Sequence, residues 1–66
     1  MAVYRLTEVV GTSTENYDAA TREAILRAEK TLRHIEWFEV KEMRGAIHDT
    51  RIEYQVRLEI GFRLEE

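Results

Sequence analysis

The sequence has no cysteine and no proline, and only one tryptophan. Without cysteine there can be no disulfide and no thiolate metal site. The two histidines, His34 and His48, are far apart and lack the spacing of paired helical ligands, so no metal site is expected. Charge of one sign is also scarce. The formal net charge is -3, with acidic and basic residues interleaved. A nucleic-acid binder calls for a basic stripe, and none is visible. No apolar run approaches the roughly 20 residues of a membrane helix, and the N-terminus lacks the apolar stretch of a signal peptide. The expectation is a cytoplasmic protein with no membrane partner and no nucleic acid. Repeats, low-complexity segments and linkers are missing too, so residues 1–66 read as a single domain. A chain of 66 residues is near the lower limit for folding alone. With disulfides and metal removed, oligomerisation is the remaining support.

The order of elements reads as β-α-β-β. AVYRLTEVV, residues 2–10, has the mixed alternation of a strand with both faces partly covered. Gly11 is read as its breaker. Thr12 or Ser13 is read as a helix cap, with Thr12 and Glu15 at capping-box spacing. Tyr17, Ala20, Ala24, Ala28, Thr31, Leu32 and Ile35 then recur at helical intervals, with Ile25 on the flank. The alanines make one side of that helix thin. Lys30, Arg33 and His34 are placed in its last turns, where cations suit the dipole. A second strand is expected over 36–47, with a bulge near Lys41–Glu42 to reconcile the apolar parity of Phe38 and Val40 with that of Met43 and Ile47. After a polar turn at 48–50, residues 51–66 alternate strictly. Ile52, Tyr54, Val56, Leu58, Ile60, Phe62 and Leu64 fall on one face, and a slip of one residue would invert them all. This strand would run on the order of 40 Å, against about 30 Å for a helix of roughly 20 residues. The sheet must curl around the helix, or other subunits must cover its ends.

Within HIEWFEV the parity sends Phe38 inward and Trp37 outward, among Glu39, Lys41, Gln55, Arg57 and Arg63. The commonest fate of such a tryptophan is packing on a neighbouring subunit or over a sheet edge. Gln55 offers one amide donor and one acceptor group on a stiff platform, a pair that suits the edge of an imide heterocycle. Pairing the hairpin about its turn sets Gln55 opposite Arg44 and Trp37 opposite Gly61, with Arg63 diagonal to the indole. Trp37 and Gln55 then lie on the order of 20 Å apart. A site that uses both must be assembled between subunits.

The ordered set VVGTS, KTLRHIEWFEVKEMRG and EYQVRLEIGFRLE resembles the dodecins, a family of small flavin-binding proteins, over nearly the whole chain. The resemblance implies an α+β fold, with a three-stranded antiparallel sheet wrapped around one helix and twelve subunits forming a hollow dodecamer. It implies a flavin storage and sequestration role rather than an enzyme, with flavin pairs stacked between symmetry-related tryptophans. By motif, Trp37 corresponds to the stacking residue and Gln55 to the glutamine at the polar edge. Arg44, Arg63 and the weaker Arg5 are candidates for the phosphate or ribityl chain, which favours FMN over riboflavin. Some bacterial members also bind coenzyme A, for which Arg27, Thr31, Leu32 and Arg33 are the corresponding candidates. Three rival readings are a flavoenzyme, a ligand-free structural shell and an electron-transfer protein. The first lacks a glycine-rich nucleotide motif or a paired acid and base.

Overall fold

The computed structural model describes residues 1–65 and contains four elements. These are β1 (Tyr4–Ser13), α1 (Tyr17–Ala28), β2 (Ile35–His48) and β3 (Arg51–Arg63). The three strands form one antiparallel sheet in the order β1-β3-β2. The β-α-β-β order and the α+β class are therefore as the sequence predicts. Glu66, the last residue of the predicted third strand, lies outside the described residues.

The helix is shorter than its periodicity suggests and is capped elsewhere. Asn16 is the cap: its backbone is extended and its side-chain oxygen accepts the Ala19 N–H at 2.7 Å. Thr12 is still in β1, paired with Gln55, and the Ser13 hydroxyl accepts the Glu15 N–H instead. At the other end the Ala28 carbonyl accepts from both Thr31 and Leu32, which tightens the last turn. His34 then turns the chain at φ 62 and directs it into β2. Lys30, Arg33 and His34 therefore lie beyond the helix, and Arg27 is the cation in its last turn. Leu32 and Ile35 do pack on the core, but from a turn and a strand. The period located the buried face correctly and misjudged the element.

Gly11 does not end the first strand. It is buried within β1, opposite Val56. A Cβ added there would lie 2.0 Å from the Ala20 carbonyl oxygen and 2.8 Å from the Ala24 Cβ. Glycine on the strand and alanine on the helix together let the two backbones approach closely. The resulting core is small: Ala20, Ala24 and Ala28 lie against Val56, Leu58 and Ile60 of the central strand. Tyr17 and Tyr54 pin the start of the helix edge to face, with ring centroids 5.0 Å apart.

The two faces of the sheet follow from the register. Phe38, Val40, Met43 and Ile47 oppose Ile60, Leu58, Val56 and Ile52 on the helix side. Trp37, Glu39, Glu42 and Arg44 oppose Gly61, Glu59, Arg57 and Gln55 on the outer side. The shift between Val40 and Glu42 is the expected bulge, and a second shift separates Ile35 from Trp37.

Phe38 faces the helix side as predicted, yet it does not enter the core: it is 47% exposed. The reason is lateral position: α1 packs over β1 and β3, so Phe38, Val40 and Met43 stay bare on β2 although their partners Ile60, Leu58 and Val56 are fully buried. Length adds to this towards the hairpin end, since twelve helical residues span about 18 Å on a molecule 50 Å long. Val40, Met43, Ile47 and Ile52 are left uncovered with Phe38. A compact chain of this size would have a radius of gyration of about 11 Å, and this one has 13.5 Å. A folded monomer of 7.8 kDa ordinarily exposes about 4,400 Å²; this chain exposes 5237 Å². The surplus is largely apolar sheet that one helix cannot reach.

The close approach at Gly11 generates a paired test. Gly11→Val forces the helix off the sheet and is expected to destabilise the fold by about 1–3 kcal/mol. At Gly45 an added Cβ meets nothing nearer than the Glu53 carbonyl oxygen at 3.5 Å, so Gly45→Ala should be neutral or mildly stabilising. Guanidinium unfolding midpoints of the two variants check both outcomes.

Candidate functional site

Trp37 stands on the outer face of β2, directly across from Gly61. A Cβ on Gly61 would lie 2.3, 2.4 and 2.6 Å from Cζ2, Cε2 and Cη2 of the indole. Distances so nearly equal mean that the face of the ring, not its edge, covers the glycine. The indole thus lies across the central strand and reaches Tyr4 of β1, with ring centroids 5.1 Å apart at an interplanar angle of 65°. One indole face is seated on the sheet and one edge is braced by Tyr4. The other face looks outward, and the residue remains 41% exposed.

Gln55 occupies the same face of the sheet further along β3, opposite Arg44. Six residues separate it from Gly61, about 20 Å along an extended strand. Its Oε1 accepts from the Arg44 Nε at 2.6 Å, and its Nε2 donates to the Glu53 carboxylate at 2.9 Å. A primary amide has two N–H groups and two acceptor lone pairs, so one of each stays free for a ligand. Arg44 forms no ion pair with a carboxylate among the described residues, because its partner is a neutral amide.

Arg57 behaves differently, although it is only two residues from Gln55. Its Nη1 donates to Glu8 on β1 at 2.6 Å and its Nε to Glu42 on β2 at 3.4 Å. The hydrogen bond it donates to Glu8 raises the guanidinium pKa above its ordinary value, desolvation opposes it, and the charge of Glu8 and the hydrogen bond and charge of Glu42 add to the rise. Arg57 is therefore committed to holding three strands together, and Arg44 is the cation beside Gln55 that can turn to an anion. Lys41, the bulge residue, is shared between Glu39 and Glu59 at 3.6 and 3.8 Å.

The remaining predicted residues divide into separate places. Arg63 is on the outer face beyond Gly61, paired with Tyr4, and so shares the indole's end of the sheet. Arg5 pairs with Phe62 on the helix side, so a single protomer does not bring it to Trp37 or Gln55. Arg27, Thr31 and Leu32 line one groove between the end of α1 and the β1 segment Val9 to Thr12. Arg33 borders an adjoining cleft with the same Thr31 and Leu32 and with His34, Phe62 and Arg63. Sequence reasoning missed Tyr4, Glu53 and the Glu8–Arg57–Glu42 bridge. The first and last depend on β1 lying beside β3, an arrangement no local pattern reports. Glu53 was open to discovery, since it lies two residues from Gln55 on the same face.

Comparison with known proteins agrees with this architecture. The dodecin family model matches residues 3–65. Dodecin from Thermus thermophilus is 60% identical over 65 residues, spanning 97% of this chain and 94% of that protein. The crystal structure of a T. thermophilus dodecin variant superposes with a TM-score of 0.94 at 57% identity, covering 100% of both chains. The calcium dodecin of Mycobacterium tuberculosis is 31% identical over 65 residues, covering 97% of this chain and 92% of that protein. Its crystal structure, described as having a novel calcium-binding site, matches with a TM-score of 0.87 at 30% identity over 96% of this chain and 91% of that one. Among the described residues here, no group of three or more histidine, aspartate or glutamate side chains is placed to hold a metal ion. Similarity that spans the chain in both sequence and structure implies oligomeric assembly and settles the lineage: the chain belongs to the dodecin family.

Proposed function

We propose that this protein binds and stores flavin, as a hollow homododecamer whose intersubunit contacts hold flavins in stacked pairs between symmetry-related Trp37 residues. One observation carries the reading. The indole is laid flat on Gly61, braced by Tyr4, and offers its second face to whatever approaches the outer side of the sheet. A rigid aromatic plate with one open face suits a planar heterocycle. Gln55 lies too far along the strand to touch the same ring from the same protomer, which favours a site completed by a sister subunit. The apolar sheet that α1 leaves bare supports assembly.

The residues fit a phosphorylated flavin. The free N–H and lone pair of Gln55 suit an imide edge, which presents a donor between two acceptors. Arg44, paired only with that amide, can meet a phosphate with charge-assisted hydrogen bonds, and Arg63 flanks the indole end. FMN is accordingly preferred to riboflavin. When bound, the flavin supplies a redox-active and photoactive ring; the residues here bind it, orient it and shield it from water. The proposal assigns no catalytic turnover, since a ring sandwiched between tryptophans offers no face to a substrate. A cytoplasmic location is part of the same proposal.

Coenzyme A is a second ligand to consider, on the observation that Arg27, Thr31 and Leu32 line one groove. Thr31 and Leu32 also line the adjoining cleft with Arg33, so the four expected residues border two clefts that share Thr31 and Leu32.

The tests are binding titrations with native mass spectrometry as the control for subunit number. Wild-type protein should quench FMN fluorescence on binding. Trp37→Ala is expected to weaken FMN binding about 10- to 100-fold, the loss of one aromatic stack, with the assembly retained. Gly61→Ala, which lifts the indole off its seat, should weaken it about tenfold although the tryptophan is untouched. Collapse of Trp37→Ala to monomers with FMN affinity unchanged would assign the indole to packing and end the storage reading. A separate comparison addresses the phosphate: Arg44→Ala should lose about tenfold in FMN affinity and little in riboflavin affinity. Equal losses for both ligands would remove the phosphate role.

A further inference from the structure

We infer that Glu53 is a positioning residue for ligand recognition: it fixes which end of the Gln55 amide faces which way. The inference rests on the flavin-binding reading above. An amide on an exposed strand face can flip about its last torsion, because water satisfies either orientation equally. Gln55 is not in that position. The Arg44 Nε, a donor only, stands 2.6 Å from its Oε1, and a Glu53 carboxylate oxygen, an acceptor, stands 2.9 Å from its Nε2. Flipping the amide would set its N–H groups against the guanidinium and its oxygen against the carboxylate. Both contacts would become repulsive. The two neighbours have opposite charge, so the amide dipole also lies along the field between them.

This arrangement acts on the ligand side of the amide. The remaining lone pair and N–H point where the two locked bonds leave them, and both are polarised by charged partners. An imide edge must receive an acceptor at its N–H and a donor at a carbonyl. A locked amide presents that pair without losing rotational freedom on binding. Arg44 cannot hold the orientation alone, because turning to a phosphate would take it from Oε1. Glu53 keeps the N–H end anchored in that case. The carboxylate adjoins the amide on β3 itself, at position i−2, so the anchor does not depend on β2.

Gln55 is the only glutamine in the sequence, which makes the test clean. In the assembled protein, selective ¹⁵N-glutamine labelling gives one side-chain NH₂ pair. In ligand-free wild type that pair is expected to exchange slowly with solvent and to show two well-separated proton shifts. In Glu53→Ala it should exchange faster, with the shifts drawn together. Glu53→Asp, which keeps a carboxylate acceptor on a shorter stem and adds no second glutamine, should restore an intermediate signal. The ligand arm compares riboflavin with its N3-methyl derivative, which lacks the imide N–H. Wild type should discriminate between them about tenfold, and Glu53→Ala only about two- to threefold, with riboflavin affinity lowered about three- to tenfold. A merely structural role would lower both affinities equally and leave the ratio unchanged. An NH₂ pair indifferent to Glu53→Ala, or an unchanged ratio, overturns the inference. If wild type binds no flavin while the NH₂ pair still responds to Glu53, the storage reading fails and the positioning of the amide stands.

Discussion

The rest of the molecule depends on one close approach: two helical alanines seated against a glycine in a strand. Any larger side chain at Gly11 would hold α1 away from the sheet, since the space its Cβ would need is already filled by Ala20 and Ala24. Seated there, the helix buries Val56, Leu58 and Ile60 completely. It can do no more, because it lies over β1 and β3 and has only twelve residues, which leaves β2 and the hairpin end uncovered. The core is tight but small, and a wide apolar margin is left for other copies of the chain. Thin packing under the helix and bare sheet beside and beyond it are two results of the same geometry.

The outer face repeats this economy with different chemistry. Gly61 removes a side chain so that the Trp37 ring can lie flat, as Gly11 does so that a helix can. Further along, the charged groups are sorted by partner. Arg57 is tied to two carboxylates on two other strands, and Arg44 to one neutral amide. Two arginines a short step apart thus have different availability: one stiffens the platform and the other stays free for an anion. The difference lies in their neighbours and not in their residue type.

Much of this was legible beforehand. The strict alternation from Ile52 to Leu64 marks the central strand, and the parity change between Val40 and Met43 requires the bulge found at Lys41. With those two features the hairpin register follows, so Trp37 opposite Gly61 and Gln55 opposite Arg44 were foreseen. The helix end was not. Leu32 and Ile35 keep helical spacing while contributing to the core from non-helical backbone, and periodicity alone cannot separate the two cases. Gly11 was misread because a glycine that breaks a strand and a glycine that admits a helix look identical in sequence. Arg5 was grouped with the site by motif, and its pairing with Phe62 puts it on the other side of the sheet. The contribution of β1 to the site, through Tyr4 and Glu8, required knowing that β1 lies beside β3.

The two register shifts in β2 have a further consequence. This strand is one border of the sheet, and among the described residues no strand pairs with its outer edge. Such a border is a template on which stray extended chains can stack into fibres. Each shift inserts a charged residue, Glu36 or Lys41, and locally kinks and coils the ribbon. A strand broken in this way cannot offer a long, flat hydrogen-bonding ladder. A chain that leaves so much apolar surface for sister copies to cover thus has protection against aggregation built into the longer of its two sheet borders.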